Sequence, residues 1–152
     1  MANRTVNWAL IGVFGAALTM ACHSTSSSNQ EQAAPAAAEA KNVAEVSVAQ
    51  VASFSKDKSA TIFDANDADT RQKYGVVPGA VLLADHKSYP LSVLPANKSE
   101  KLVFYCGGTK CRASDAAAAR AASAGYQDVS VMRNGIRGWK DAGMPTSAAP
   151  QS

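Results

Sequence analysis

Leu102-Val103-Phe104-Tyr105-Cys106-Gly107-Gly108-Thr109-Lys110-Cys111-Arg112-Ala113-Ser114 carries an apolar, aromatic run that stops at a cysteine. Two glycines, two cations and a helix-like segment follow. That order places a thiol at the carboxyl end of a buried strand, beside a loop whose backbone N–H groups can turn inward. It also places the thiol close to the start of a helix. Each feature favours the thiolate, the reactive form of cysteine.

The bland alternative for Cys106 is a buried structural cysteine, since free cysteine is among the most buried residue types. Such a residue has no need of Gly107, Gly108, Lys110 and Arg112 just beyond it, so Cys106 is the candidate nucleophile. The glycine pair can make a tight turn and an anion-binding nest at once, because a β-carbon obstructs both. One of Lys110 and Arg112 is expected to face the thiol, with Arg112 preferred for its fixed fork of donors. Cys111 has two readings. It is either a resolving partner that forms a disulfide with Cys106, or a packed residue in the first turn of the helix. The disulfide requires the two Cα atoms to lie within about 7 Å.

Outward from this stretch, the chain alternates short apolar runs with helical segments. Ser47 is placed to cap a helix through Phe54, Ala60–Phe63 reads as a strand ending at Asp64, and Asp67 to Tyr74 reads as a polar helix stopped by Gly75. Ala80–Leu83 and Val129–Met132 read as further strands, and Leu91–Leu94 as a proline-bounded connector. An Ala-rich helix is expected from about Asp115 to Ala124, capped by Ser114 and closed by Gly125, with a last helix over Ile136–Ala142. This alternation predicts an α/β domain, a small parallel β-sheet flanked by helices on both faces. Sites in such folds lie outside the carboxyl ends of the strands, where Cys106 falls.

The chain has 152 residues, and about one hundred of them, 46–146, form this single domain. Residues 1–21 hold one cation, Arg4, and the apolar run Trp8–Ala21, which reads as an export signal. The run falls short of a comfortable span of roughly 20 apolar residues. Leu18-Thr19-Met20-Ala21-Cys22 resembles the lipobox of bacterial lipoproteins, with Thr19 where leucine is usual. The resemblance implies lipidation at Cys22 and a membrane partner through that anchor; plain cleavage with release into the periplasm is the alternative. Lipidation would leave Cys106 and Cys111 as a pair in an oxidising, periplasmic compartment, with outer-membrane placement suggested by the His after Cys22. Residues 22–45 are rich in Ser, Ala, Gln and Glu and read as a flexible tether, and 147–152 as a disordered tail. The formal net charge of +3 and the scattered cations exclude nucleic acid as a partner.

Laid out in order, four blocks make the domain similar to the rhodanese-like (sulfurtransferase) superfamily. They are Phe63-Asp64; Tyr74-Gly75-Val76-Val77-Pro78-Gly79-Ala80-Val81; Val103–Cys106 with its loop; and Gly125–Val129 with Asn134–Trp139 and Ala142–Pro145. The resemblance implies that Cys106 carries a sulfane sulfur as a persulfide. It implies that Gly107, Gly108, Thr109, Lys110 and Cys111 cradle a small sulfur-containing anion, with Arg112 beside them. The acceptor would be a thiol or cyanide, and no cofactor or metal would be needed. Three departures stand out: Val76 replaces the family's histidine, Asn66 replaces the arginine after the first-strand Asp64, and Cys111 takes the last loop position. The Cys-x₅-Arg spacing from Cys106 to Arg112 is similar to the longer loop of the phosphatase and arsenate-reductase branches.

Other chemistries lack residues. Zinc would need three or four ligands, and only Cys106, Cys111 and distant His86 are on offer. His86 reads as a solvated loop residue. Asp64 reads first as a turn or capping residue, or else as part of the same rim as Cys106, and Trp139 reads as core. Two enzymatic readings stand, a sulfurtransferase and a phosphatase or arsenate reductase. A third, non-catalytic reading is a redox-sensing or binding module locked by a Cys106–Cys111 disulfide.

Overall fold

The computed structural model describes residues 43–149. The export signal, Cys22 and most of the tether therefore lie outside the described residues. The elements run β1 (Ala44–Glu45), α1 (Val48–Asp57), β2 (Thr61–Asp64), α2 (Ala68–Tyr74), β3 (Val81–Leu82), β4 (Leu102–Tyr105), α3 (Ala113–Ser123), β5 (Val129–Met132) and α4 (Gly135–Asp141), with a 3₁₀ turn at Leu91–Val93. The five strands form one parallel sheet in the order β1-β5-β4-β2-β3. The α/β expectation is met. The sheet begins two residues before the expected start of the domain at 46, because Ala44 and Glu45 pair with Ser130 and Val131.

Alternation along the strands divides the core between the two faces of the sheet. Phe63, Leu102, Phe104, Val129 and Val131 pack with Ala117, Ala118, Ala121 and Ala122 of α3 on one face. Ile62, Val103, Tyr105 and Met132 pack with Val51 of α1 and with Ile136 and Trp139 of α4 on the other. The small side chains of α3 let the helix lie close to the sheet, and Phe63 stacks on Phe104 with ring centroids 4.9 Å apart. All four residues of β4 are buried, as a central parallel strand requires.

Ser47 and Gln50 form a reciprocal capping box on α1, and Asp67 caps α2 through the Thr70 N–H. The Thr70 backbone N–H, followed by the Thr70 side chain, holds the Asp67 carboxyl below the usual carboxylate range. Ser114 does not cap α3. The helix begins two residues earlier than expected, at Ala113, with Arg112 at the cap position and no side-chain capping bond. The expected disordered tail also needs correction at its start. Ser147 exchanges two backbone hydrogen bonds of 2.9 Å with Val76, and the Trp139 indole N–H donates to Pro145 O. A β-carbon on Gly75, which has φ +76°, would come within 2.9 Å of Ser147 O and of Thr146.

Beneath the end of β4 lies a buried polar network. The Tyr105 hydroxyl donates to Asp64 Oδ2 at 2.5 Å and accepts from the Val77 N–H at 3.0 Å. Arg71 donates to Asp64 Oδ1, to Asp64 O and to Leu83 O. Asp64 is thus a fully buried structural anion and not a rim residue. The polar support expected to be lost with Asn66 arrives from Arg71, on the facing side of α2. Removing either ion from such a pair strands the other and costs about 3–5 kcal/mol.

Candidate active site

Cys106 follows directly on β4, whose last residue, Tyr105, is paired with Asp64 and Met132 of the neighbouring strands. Its carbonyl accepts from the Ile136 N–H at 2.8 Å, and the Gly107 carbonyl accepts from the Arg137 N–H at 3.3 Å. The first turn of α4 therefore straps down the start of the loop. Gly135 makes that contact possible: at φ +60°, its added β-carbon would lie 2.3 Å from Cys106 O and 2.5 Å from Gly108 N. On the other side, Ser114 in the first turn of α3 places its Oγ 3.3 Å from Cys106 Sγ. The residue expected to cap the helix is instead a buried hydroxyl facing the sulfur.

Cys106 and Cys111 are joined as a disulfide, with Cα atoms 6.3 Å apart. This separation meets the geometric condition on which the disulfide reading of Cys111 depended. Cys106 is 2 % exposed, whereas Cys111 is partly exposed. In this oxidised form Cys111 caps the Cys106 sulfur to which it is bonded. The Cys111 N–H closes a turn onto Gly108 O at 2.9 Å. Among the described residues, the N–H groups of Gly107, Gly108, Thr109 and Lys110 donate no protein hydrogen bond, so they remain available to an anion.

A cavity of about 550 Å³ opens over this loop, lined by residues 107–111 together with Asn134, Arg137, Gly138 and Asp141. A second, of about 410 Å³, lies on the other side and shares Gly107, Cys111 and Arg137 with the first. It also brings in Asn66, Thr70 and His86. Asn66 is buried beside Gly107, and its Nδ2 has no hydrogen-bond partner among the described residues.

Five of the six expected anion-binding residues, Gly107 to Cys111, line the first cavity; Arg112 lines neither. Its side chain is 76 % exposed and paired with Asp115 at 3.1 Å, and Asp115 is held in turn by Arg133 at 2.7 Å. The preference for Arg112 over Lys110 is therefore corrected: the acid in the first turn of α3 draws Arg112 away from the sulfur. The cation missed by the sequence reading is Arg137, which lines both cavities and lies 5.2 Å from the Tyr74 ring centroid. One signal could have found it. The helix after β5 must begin at the same carboxyl rim as the loop after β4.

The profile of the Rhodanese-like domain matches residues 47–142. No curated protein matches the chain. A thiosulfate sulfurtransferase from Pseudomonas aeruginosa superposes with a TM-score of 0.59 at 21 % identity, over 72 % of this chain and 21 % of that one. A protein of unknown function from Rhodopseudomonas palustris, a possible tyrosine phosphatase, superposes at 0.58 with 22 % identity, over 69 % and 85 %. SseA of Escherichia coli, a 3-mercaptopyruvate sulfotransferase with the rhodanese fold, superposes at 0.53 with 25 % identity, over 72 % and 52 %. This chain thus spans about a fifth and a half of the two sulfur-transferring proteins, and the first two likenesses speak to fold alone. The family match covers more than half of the chain, and with the parallel sheet and the cysteine loop it leads to one conclusion: the chain belongs to the rhodanese-like domain family.

Proposed function

We propose that this protein is a sulfurtransferase in which Cys106, once reduced, accepts a sulfane sulfur as a persulfide. The observation that carries the reading is the position of Cys106 at the end of β4, under a loop with four available N–H groups and a cavity that Lys110 and Arg137 line. The Cys106 thiolate attacks the outer sulfur of a donor such as thiosulfate, the S–S bond breaks and sulfite leaves with the electron pair. A thiol or cyanide then takes the sulfur. Export, and anchoring through a lipid on Cys22, belong to the same proposal, as does periplasmic work on small sulfur anions. Thiocyanate formation from thiosulfate and cyanide tests the activity, with C106S expected to form none. Loss of detergent partitioning in C22A tests the anchor.

The phosphatase-like reading loses support because Arg112 pairs with Asp115 away from the loop. The locked redox or binding module draws support from the Cys106–Cys111 bond. A free-thiol count on protein taken from its native compartment bears on this: two thiols exclude the locked module, and where none is found, thiocyanate formation by the dithiol-reduced protein fits catalysis and its absence fits the locked module.

A further inference from the structure

The disulfide joins the proposed sulfur carrier to a residue that is only partly buried, and this sets it apart from a fully buried structural crosslink. Cys111 lines both cavities, so an external thiol can approach it from either side. The bond closes a short loop, five residues apart in sequence, and short loops contribute least to restraining an unfolded chain. Lys110 and Arg137 share the first cavity with it, and cations near a thiol favour its thiolate.

We infer that Cys111 resolves the Cys106 persulfide and releases its sulfur as hydrosulfide. This makes the protein a dithiol-dependent, sulfide-releasing reductase of sulfane sulfur; the inference rests on the proposed persulfide. The Cys111 thiolate attacks Cys106 Sγ, the atom to which it is bonded in the structure. The Cys106 Sγ–sulfane bond breaks, and the sulfane sulfur departs with the electron pair and takes up a proton. That sulfur is reduced by two electrons, and the two cysteines are oxidised to the disulfide. With the Cα atoms already 6.3 Å apart, the step needs no large backbone movement. The intramolecular thiol also meets the persulfide without the entropy loss that an external acceptor incurs. A small dithiol, or a protein dithiol, then attacks the disulfide and restores both thiols. With thiosulfate as donor, each cycle turns thiosulfate and a dithiol into sulfite, hydrosulfide and the oxidised dithiol.

The test uses the full chain, reduced, freed of reductant under anaerobic conditions and given one equivalent of thiosulfate. Wild-type protein is expected to release about one equivalent of sulfide per chain, with an intact mass two hydrogens below the reduced form. C111S is expected to gain and hold one sulfur, which cyanide removes, with sulfide release slowed at least tenfold. Equal release from C111S, or a wild-type persulfide that persists without the disulfide, overturns the inference and leaves the sulfurtransferase reading standing. Failure of both proteins to take up sulfur overturns that reading and the inference with it. Folding of C111S is checked by its far-UV spectrum, and C111A serves as the second variant.

Discussion

Ser114 Oγ lies 3.3 Å from Cys106 Sγ, so the first turn of α3 meets the sulfur with a hydroxyl as well as with its dipole. A hydrogen bond to a charged group contributes about 1.5–3 kcal/mol, and one bond of that size moves a thiol pKa by about one to two units. In reduced protein, Ser114→Ala is expected to raise the Cys106 pKa by about one unit and to slow alkylation at neutral pH about tenfold. The pH profile of iodoacetamide modification, measured in a C111S background, checks this. An unchanged profile would remove Ser114 from the site.

Arg137 and Arg112 make opposite predictions about the donor anion. Arg137 lines both cavities, and Arg112 is spent on Asp115. Arg137→Gln is expected to raise the KM for thiosulfate about tenfold, the loss of one charge-assisted contact of roughly 1.4 kcal/mol. Arg112→Gln should change KM less than about twofold. Steady-state kinetics on the two variants decide between them, and the reverse ranking would restore the Arg112 assignment.

Gly135 is the tightest point of contact between α4 and the loop. Alanine there would need φ near +60° and would press its β-carbon against Cys106 O, Gly108 N and Gly107 C. Gly135→Ala should cost about 3 kcal/mol from overpacking and unfavourable backbone, seen in urea unfolding. Sulfur uptake by any folded fraction should also fall, because the displaced backbone is that of the loop itself.

Alkaline pH should unfold the domain through its buried tyrosines. Burial pushes the Tyr89 phenol up from 10.0 to about 12. Tyr105 moves further in the same direction, through burial first and then the adjacent Asp64 charge. Both phenols hold their protons more tightly in the folded chain than in the unfolded one. The stability they contribute is therefore whole below pH 10 and falls as pH rises above it, the Tyr89 part being lost from 10 through 12 and the Tyr105 part at still higher pH. Urea midpoints measured across that window should fall steeply in wild type and less steeply in Tyr89→Phe. Tyr105→Phe is expected to be destabilised even at neutral pH, by about 2–4 kcal/mol, because it leaves the Val77 N–H and an Asp64 oxygen unpaired.

Local pattern was enough to place the elements. Leu102–Tyr105 is a continuous apolar run and Val129–Met132 is apolar but for Ser130, and both are strands over those same residues. Ser47 and Asp67 cap as their side chains dictate, and Gly125 takes the positive φ, +94°, expected beyond α3. Alternating strands and helices predict a parallel sheet, and the thiol at the end of a strand predicts where the site lies. These features depend on neighbours within a few residues, and the sequence displays those neighbours directly.

What tertiary structure alone decided is which distant groups meet. Ser114 has the side chain of a cap, yet the turn of the 107–111 loop swings it onto Cys106 Sγ. Arg112 follows the loop as a cation should, but Asp115, itself held by Arg133 of the strand end, wins it. Arg137 stands 31 positions beyond Cys106 and reaches the rim only because β5 lies beside β4 and α4 starts where β5 ends. Asn66 lacks the charge to pair with Asp64, and Arg71 supplies it from a helix. The spacing of Cys106 and Cys111 left a disulfide and a packed helical residue equally open, and the path of the loop backbone, with Cα atoms 6.3 Å apart, chose the disulfide. Propensity and hydrophobic period act over a turn or a strand, whereas ion pairing and sulfur chemistry depend on distances that only the assembled sheet sets.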